Sequence, residues 1–147
     1  FVTMVLELQV KAALGLMQLG RFDATLAQRT AVDERYRHRL SGVRGLRCLP
    51  RADVVRDNHA YFPVLVDEGF ALGRDALHEH LKRHGVLSRR YFYPLITEFS
   101  MYREHAPDSQ ARLPVAHDVA RRILCLPIYA ELPLEQVDRI VDLIVAA

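Results

Sequence analysis

Lysine is nearly absent from this chain: of the 20 basic residues in 147, only Lys11 and Lys82 are not arginine. Net charge is also scarce. At +2, with a pI near 8.7, the balance disfavours a strongly basic nucleic-acid protein, and no nucleic-acid partner is expected. No apolar run approaches the roughly 20 residues that a membrane span needs, so the chain is expected to be soluble, without a membrane partner. Cysteine is limited to Cys48 and Cys125, each isolated among leucines. That excludes a disulfide framework and metal-type cysteine spacing, and the expectation is buried free thiols in a reducing cytoplasm. Neither a G-x-G-x-x-G nor a Walker-type loop occurs, so there is no recognisable phosphate cradle. Ser88 and Ser100 lack a G-x-S-x-G elbow, which removes a hydrolase triad. The opening "FVTMVLELQV" has no initiator Met, no basic n-region and no small-residue cleavage site, and reads as the interior of a longer protein rather than a signal peptide.

What is present is ordinary globular material, half hydrophobic and about a quarter charged. A chain of this length buries about 70% of its unfolded surface and supports one domain, here 1–147, divided into a helical arm over 1–42 and an α+β body over 43–147. From Thr3 to Leu19 apolar residues, among them Met4, Val5, Leu6, Leu8, Val10, Leu14, Leu16 and Met17, occupy nearly every side of a helical wheel, with Gly20 as a stop. Such a helix is expected to be buried on several sides, which demands a second subunit or a further domain. Asp23 is placed to cap a second helix running to about Leu40, with Leu26, Val32, Tyr36 and Leu40 on one stripe and a solvated arginine face opposite.

Residues 46–49 form a short strand candidate, and in 58–66 Ala60, Phe62, Val64 and Val66 share one face. Pro63 has no N–H for a ladder, which predicts an edge strand or a bulge. Ala76, Leu77 and Leu81 give a helix from Gly73 to His84, closed by Gly85, and "VLSRRYFYP" is the returning strand. Pro114 introduces a helix to about Cys125, with Val119 and Ile123 inward. Pro133 introduces the last, with Leu134, Val137, Val141 and Ile144 inward, and "LCLPIYAELP" is connecting chain.

Two stretches invite a chemical reading. In "HEHLKRH" (78–84) His80 and His84 lie one helical turn apart, but Lys82 stands where a zincin needs its second His, and a polar helix surface is expected, with no metal. In "VLSRRYFYPL" (86–95) two arginines adjoin three aromatic rings. A guanidinium grips phosphate or carboxylate with two hydrogen bonds, while tyrosines add stacking surface and hydroxyls. Extended backbone points Arg89 and Arg90 to opposite faces, so only one lines a given cleft. The alternative is a surface rim with Phe92 packed in the core.

Several segments together resemble the C-terminal part of the DegT/DnrJ-type sugar aminotransferases. These are "AALGLMQLGRFDATLAQR", "NHAYFPVLV", "RDALHEHLKRHGVLSRRYFYPL" and "LPVAHDVARRILCLPIYAELPLEQVDRIVDLI", in the family's order and covering about 9–145. The resemblance implies the small C-terminal domain of a fold-type I aminotransferase: a small, mostly antiparallel sheet packed with helices. It implies pyridoxal phosphate as the parent cofactor, a nucleotide-sugar substrate, and a homodimer or a large domain as partner. The family's Schiff-base lysine belongs to the large domain. Neither Lys11 nor Lys82 stands at a matching position, so this chain alone is expected to bind no cofactor, to hold no catalytic residue and to be inactive. The family's Gly-aromatic-Asn-x-Arg segment aligns with Val2-Thr3-Met4-Val5-Leu6, where Asn and Arg are lost. Carried over, the resemblance makes Arg90, Tyr91 and Tyr93 substrate-binding candidates, with Ser88 and Arg89 less favoured. The family often has His where Tyr91 stands and another near Ile96. The competing reading is a noncatalytic helical dimerisation or binding module from a truncated gene.

Overall fold

The computed structural model describes residues 2–51, 57–105 and 107–147, with side chains from residue 7 onward. Three short strands, β1 (Leu46–Cys48), β2 (Phe62–Val66) and β3 (Ile123–Leu126), form an antiparallel sheet in that order. Alternation along β2 sends Phe62, Val64 and Val66 to the face that helices cover. The cover consists of α1 (Val2–Leu40), α2 (Arg74–Arg83) and α6 (Leu134–Val145). Val32, Tyr36 and Leu40 from α1 and Leu77 and Leu81 from α2 meet Val137, Ile140, Val141 and Ile144 from α6 in one core. Tyr36 stacks on Phe62 with ring centroids 4.8 Å apart. Short helices α3 (Ser100–Arg103) and α4 (Ser109–Arg112) lead into α5 (Pro114–Arg122). This is the expected α+β arrangement of a small antiparallel sheet and helices.

Pro63 lies in the middle strand, not at an edge or a bulge. Cys125, its partner in register, gives its N–H to Arg89 O at 2.8 Å and accepts from Arg89 N at 2.9 Å. With both of its main-chain groups turned that way, Cys125 meets Pro63 as a non-hydrogen-bonded pair, and the proline nitrogen faces away from β3. On the other side β1 ends at Cys48, opposite Val64, so no ladder donor is missed.

The two N-terminal helices are one. α1 passes through Gly20 and Asp23 without a break, its 39 residues spanning about 58 Å. A single glycine costs about 1 kcal/mol in a helix and does not end one, and a capping residue starts a helix only where the preceding turn is not already helical. The N-terminal half finds no cover among the described residues: Leu8, Val10, Leu14, Leu16, Met17 and Leu19 are all exposed, Leu16 and Leu19 at 70%. The side chains of Met4, Val5 and Leu6 lie outside the described residues. The C-terminal half docks through the expected stripe, and its arginines are not merely solvated. Arg35 clamps Asp138 of α6, Arg39 reaches Asp138 at 2.9 Å and Asp142 at 2.5 Å, and Arg37 bonds Asp33 and the carbonyl of Leu49. Asp33 is itself buried between Arg37 and Arg51.

Other boundaries move. Residues 58–61 precede the strand, and Ala60 is exposed, as are Ala76 and Leu134 on their helices. The helix expected to reach Cys125 stops at Arg122, and four consecutive buried residues, Ile123 to Leu126, form β3 where connecting chain was expected from Leu124 on. A fully buried strand shows no alternation, so its apolar run reads equally as helix. Gly45, at φ +77°, brings the β1 entry against the backbone of Gly69 and Phe70, where a Cβ would lie 2.0 Å from Phe70 N.

Candidate substrate-binding surface

The segment 86–95 is anchored from both sides before it presents any side chain. After Gly85, at φ +77°, Ser88 is buried with its hydroxyl 2.9 Å from Nδ1 of His78 on α2. Arg89 then makes a single bridge to Cys125 on the outer edge of β3, in place of the expected returning strand. Phe92, at φ +44°, turns the chain, and the Tyr93–Pro94 peptide is cis. The turn leaves Phe92 70% exposed, so it is not a core residue as the rim reading required.

Arg89 and Arg90 do diverge. Arg89 lines an open groove of about 640 Å³ between this segment and α6, whereas Arg90 turns to α2, its Nη1 3.4 Å from Asp75 Oδ1. Arg90 also lies over the Tyr93 ring, 5.2 Å from its centroid. A second guanidinium, that of Arg74, lies 4.6 Å from the same centroid. Arg74 is buried, and its Nη1 donates to the carbonyls of Ala120 at 2.9 Å and Ile123 at 3.3 Å. Its Nε approaches Asp75 Oδ1 at 2.8 Å off the N–H line, an ion pair rather than a hydrogen bond. Tyr93 is thus held by two cations that share one carboxylate. Tyr91 belongs to a different cluster, tilted on Tyr61 at 5.0 Å and on Phe92 at 4.2 Å. Desolvation first, then the neighbouring Tyr61, pushes its hydroxyl pKa up, so it stays protonated and able to donate.

Of the three residues singled out from sequence, Arg90 and Tyr93 come together and Tyr91 stands beside them. Arg74 and Asp75 were missed. The available signal was an arginine in the first turn of a helix, where the helix dipole disfavours positive charge, so that it needs another purpose. His80 and His84 stack at 4.6 Å, and each spends one ring nitrogen on a carbonyl, His80 Nε2 on that of Leu143 and His84 Nδ1 on that of His80. No group of three His, Cys, Asp or Glu among the described residues is arranged to hold a metal.

Residues 7–145 match the profile of the DegT/DnrJ/EryC1/StrS aminotransferase family. The chain belongs to that family. Among similar proteins, the dTDP-4-amino-4,6-dideoxy-D-glucose transaminase of Escherichia coli is 41% identical over 136 residues, covering 92% of this chain and 37% of that relative. In fold the chain is similar to the aminotransferase TlmJ from Streptoalloteichus hindustanus, with a TM-score of 0.77 at 29% identity over 92% of this chain and 35% of that one. It is similar also to DesI, solved in the presence of its TDP-sugar product, with a TM-score of 0.81 at 30% identity over 92% of this chain and 34% of that one. The chain therefore spans about a third of the length of the relatives it matches, in keeping with the C-terminal part expected from the sequence.

Pyridoxal phosphate is the cofactor of this family. Lys11 on α1 and Lys82 on α2 are both exposed, and neither makes a hydrogen bond, ion pair or ring contact with the Arg74–Arg90–Tyr93 cluster.

Proposed function

We propose that the chain forms the C-terminal part of a pyridoxal-phosphate-dependent nucleotide-sugar aminotransferase, which transfers an amino group to a keto-sugar. The family match over residues 7–145 carries this reading. Its role is to complete the substrate cleft and the contact with a large domain or a second subunit, while the Schiff-base lysine comes from outside these residues. Arg90, Tyr91 and Tyr93 contact the substrate: Arg90 its anionic groups, the tyrosines its hydroxyls. Alone, the chain binds no cofactor and does not transaminate. The half-buried and buried free thiols of Cys48 and Cys125 suit a cytoplasmic enzyme, and no helix among the described residues is long and apolar enough to cross a membrane.

Adding pyridoxal phosphate and removing the excess by gel filtration tests the inactivity. No visible absorbance of a lysine-bound cofactor is expected to remain, and a stable yellow complex would overturn it. For the site, the chain is mixed with the separately expressed amino-terminal portion of the E. coli relative, and amino transfer to a dTDP-keto-sugar is measured. Arg90→Gln is expected to raise KM about tenfold through loss of one charge-assisted contact. An unchanged KM in Arg90→Gln, Tyr91→Phe and Tyr93→Phe alike would remove these side chains from the substrate.

The exposed apolar half of α1 favours a second reading, a noncatalytic dimerisation module in which that helix pairs with its copy. Light scattering separates the two, since a chain that stays monomeric at high concentration is no dimerisation module.

A further inference from the structure

The geometry points to a second ligand site, distinct from the Arg90–Tyr93 cluster: the groove lined by Arg89, Arg139, His84, Gln136, Tyr61 and Tyr129 takes a small organic phosphate with a flat or apolar body. Arg35, Arg37, Arg39, Arg47, Arg51, Arg74, Arg90, Arg121 and Arg122 all have a carboxylate within ion-pair distance. Arg89 and Arg139, like Arg29, Arg44, Arg83, Arg103 and Arg112, have none among the described residues, and what sets the two apart is that they line one groove containing no acidic residue. Two arginines and a histidine lining one space without a counter-charge form a site for a multiply charged anion, and phosphate geometry suits the guanidinium fork.

The remaining lining argues that the anion carries a body. Leu126, Pro127, Ile128 and Leu132 supply an apolar floor, and Tyr61 and Tyr129, 51% and 46% exposed, offer ring surface above it. Packing against Tyr91 limits the freedom of the Tyr61 ring. A space of about 640 Å³ with an apolar floor and a few convergent polar groups is of the size and character of small-molecule sites. The backbone bridge between Arg89 and Cys125, at 2.9 and 2.8 Å, fixes the first arginine, and Arg139 projects from the second turn of α6, so both stand on rigid elements. This inference does not rest on the aminotransferase reading.

Phenyl phosphate titrated into the isotopically labelled 147-residue chain, followed by amide shifts in NMR spectra, tests it. Saturable shifts are expected at Tyr61, Tyr129, Gln136 and Arg139 in the low-millimolar range. Arg139→Gln, on the exposed side of α6, is expected to weaken binding about tenfold, whereas Arg121→Gln, an equal change in charge elsewhere, leaves it unchanged. The spectrum of each variant reports whether it has folded. Inorganic phosphate is expected to bind more weakly than phenyl phosphate, and benzoate more weakly than either. Equal weakening by both substitutions, equal affinity for inorganic phosphate, or shifts confined to the surroundings of Arg74, Arg90 and Tyr93 would each overturn the assignment.

Discussion

The guanidinium of buried Arg74 lies 4.6 Å from the centroid of the Tyr93 ring, and its other edge is bonded to the carbonyls of Ala120 and Ile123. One side chain thereby ties the start of α2 to the junction of α5 and β3 and to the loop carrying the candidate site. Arg74→Met keeps much of the aliphatic stem but removes every donor, leaving two buried carbonyls unpaired. The expected loss of stability is about 2 kcal/mol in urea unfolding, with a loss of the Tyr93 near-ultraviolet dichroism. Unaltered stability would show that water satisfies those carbonyls as well as Arg74 does.

Arg35 and Asp138 couple α1 to α6 through bonds of 2.8 and 2.6 Å. The hydrogen bond from Arg35, reinforced by the charges of Arg35 and Arg39, holds the Asp138 carboxyl below its ordinary 3.8. A folded pKa below the unfolded one gives stability that is present above the ordinary carboxylate range and disappears as pH falls through the depressed value. Asp138→Asn is therefore expected to lower the urea midpoint at pH 7 and to flatten its acid dependence below pH about 4. Identical acid profiles in the two proteins would mean that the pair contributes nothing.

Glycine positions offer opposite outcomes from one substitution. At Gly45 a Cβ would lie 2.0 Å from Phe70 N at a φ of +77°, so Gly45→Ala is expected to destabilise severely or prevent folding. At Gly20, inside α1, a Cβ meets nothing within 4 Å. Gly20→Ala is expected to raise helix content and, where helix formation is coupled to folding, to stabilise by up to about 1 kcal/mol. Circular dichroism with thermal melts checks both, and a loss of helix in Gly20→Ala would mean that the glycine serves a close contact.

Burial pushes the Cys125 thiol up to about 11 from its ordinary 9.0, with Arg89 opposing the shift. Because the folded pKa is the higher one, the thiol favours folding fully below pH about 9, and that contribution is lost as pH rises towards about 11. Alkylation at pH 8 is expected to be slow in the native chain and to accelerate in urea. Fast native alkylation of Cys125, located by mass spectrometry in a Cys48→Ser background, would contradict this.

Much of the architecture was legible because it rests on local patterning. The stripe Leu26, Val32, Tyr36 and Leu40, the pair Leu77 and Leu81, and the alternation Phe62, Val64, Val66 all find the core. The opposite directions of Arg89 and Arg90 followed from the extended backbone. Where patterning is silent, the reading failed. Gly20 and Asp23 carry stop and start signals that a continuous helix overrides, and Ile123 to Leu126 lack the alternation that separates a buried strand from a helix.

From its residues alone, then, this chain disclosed the α+β class, the apolar stripes that build its core and its aminotransferase resemblance, because each resides in local periodicity and in ordered motifs. Tertiary structure decided the rest. It placed Pro63 in a central strand through the hydrogen bonds of its neighbours, and it set Arg74 against Tyr93 across 19 positions of sequence. It also left Arg89 and Arg139 lining one groove without a counter-charge. Such relations depend on which groups folding brings within a few ångströms of each other, and chain spacing does not encode that distance.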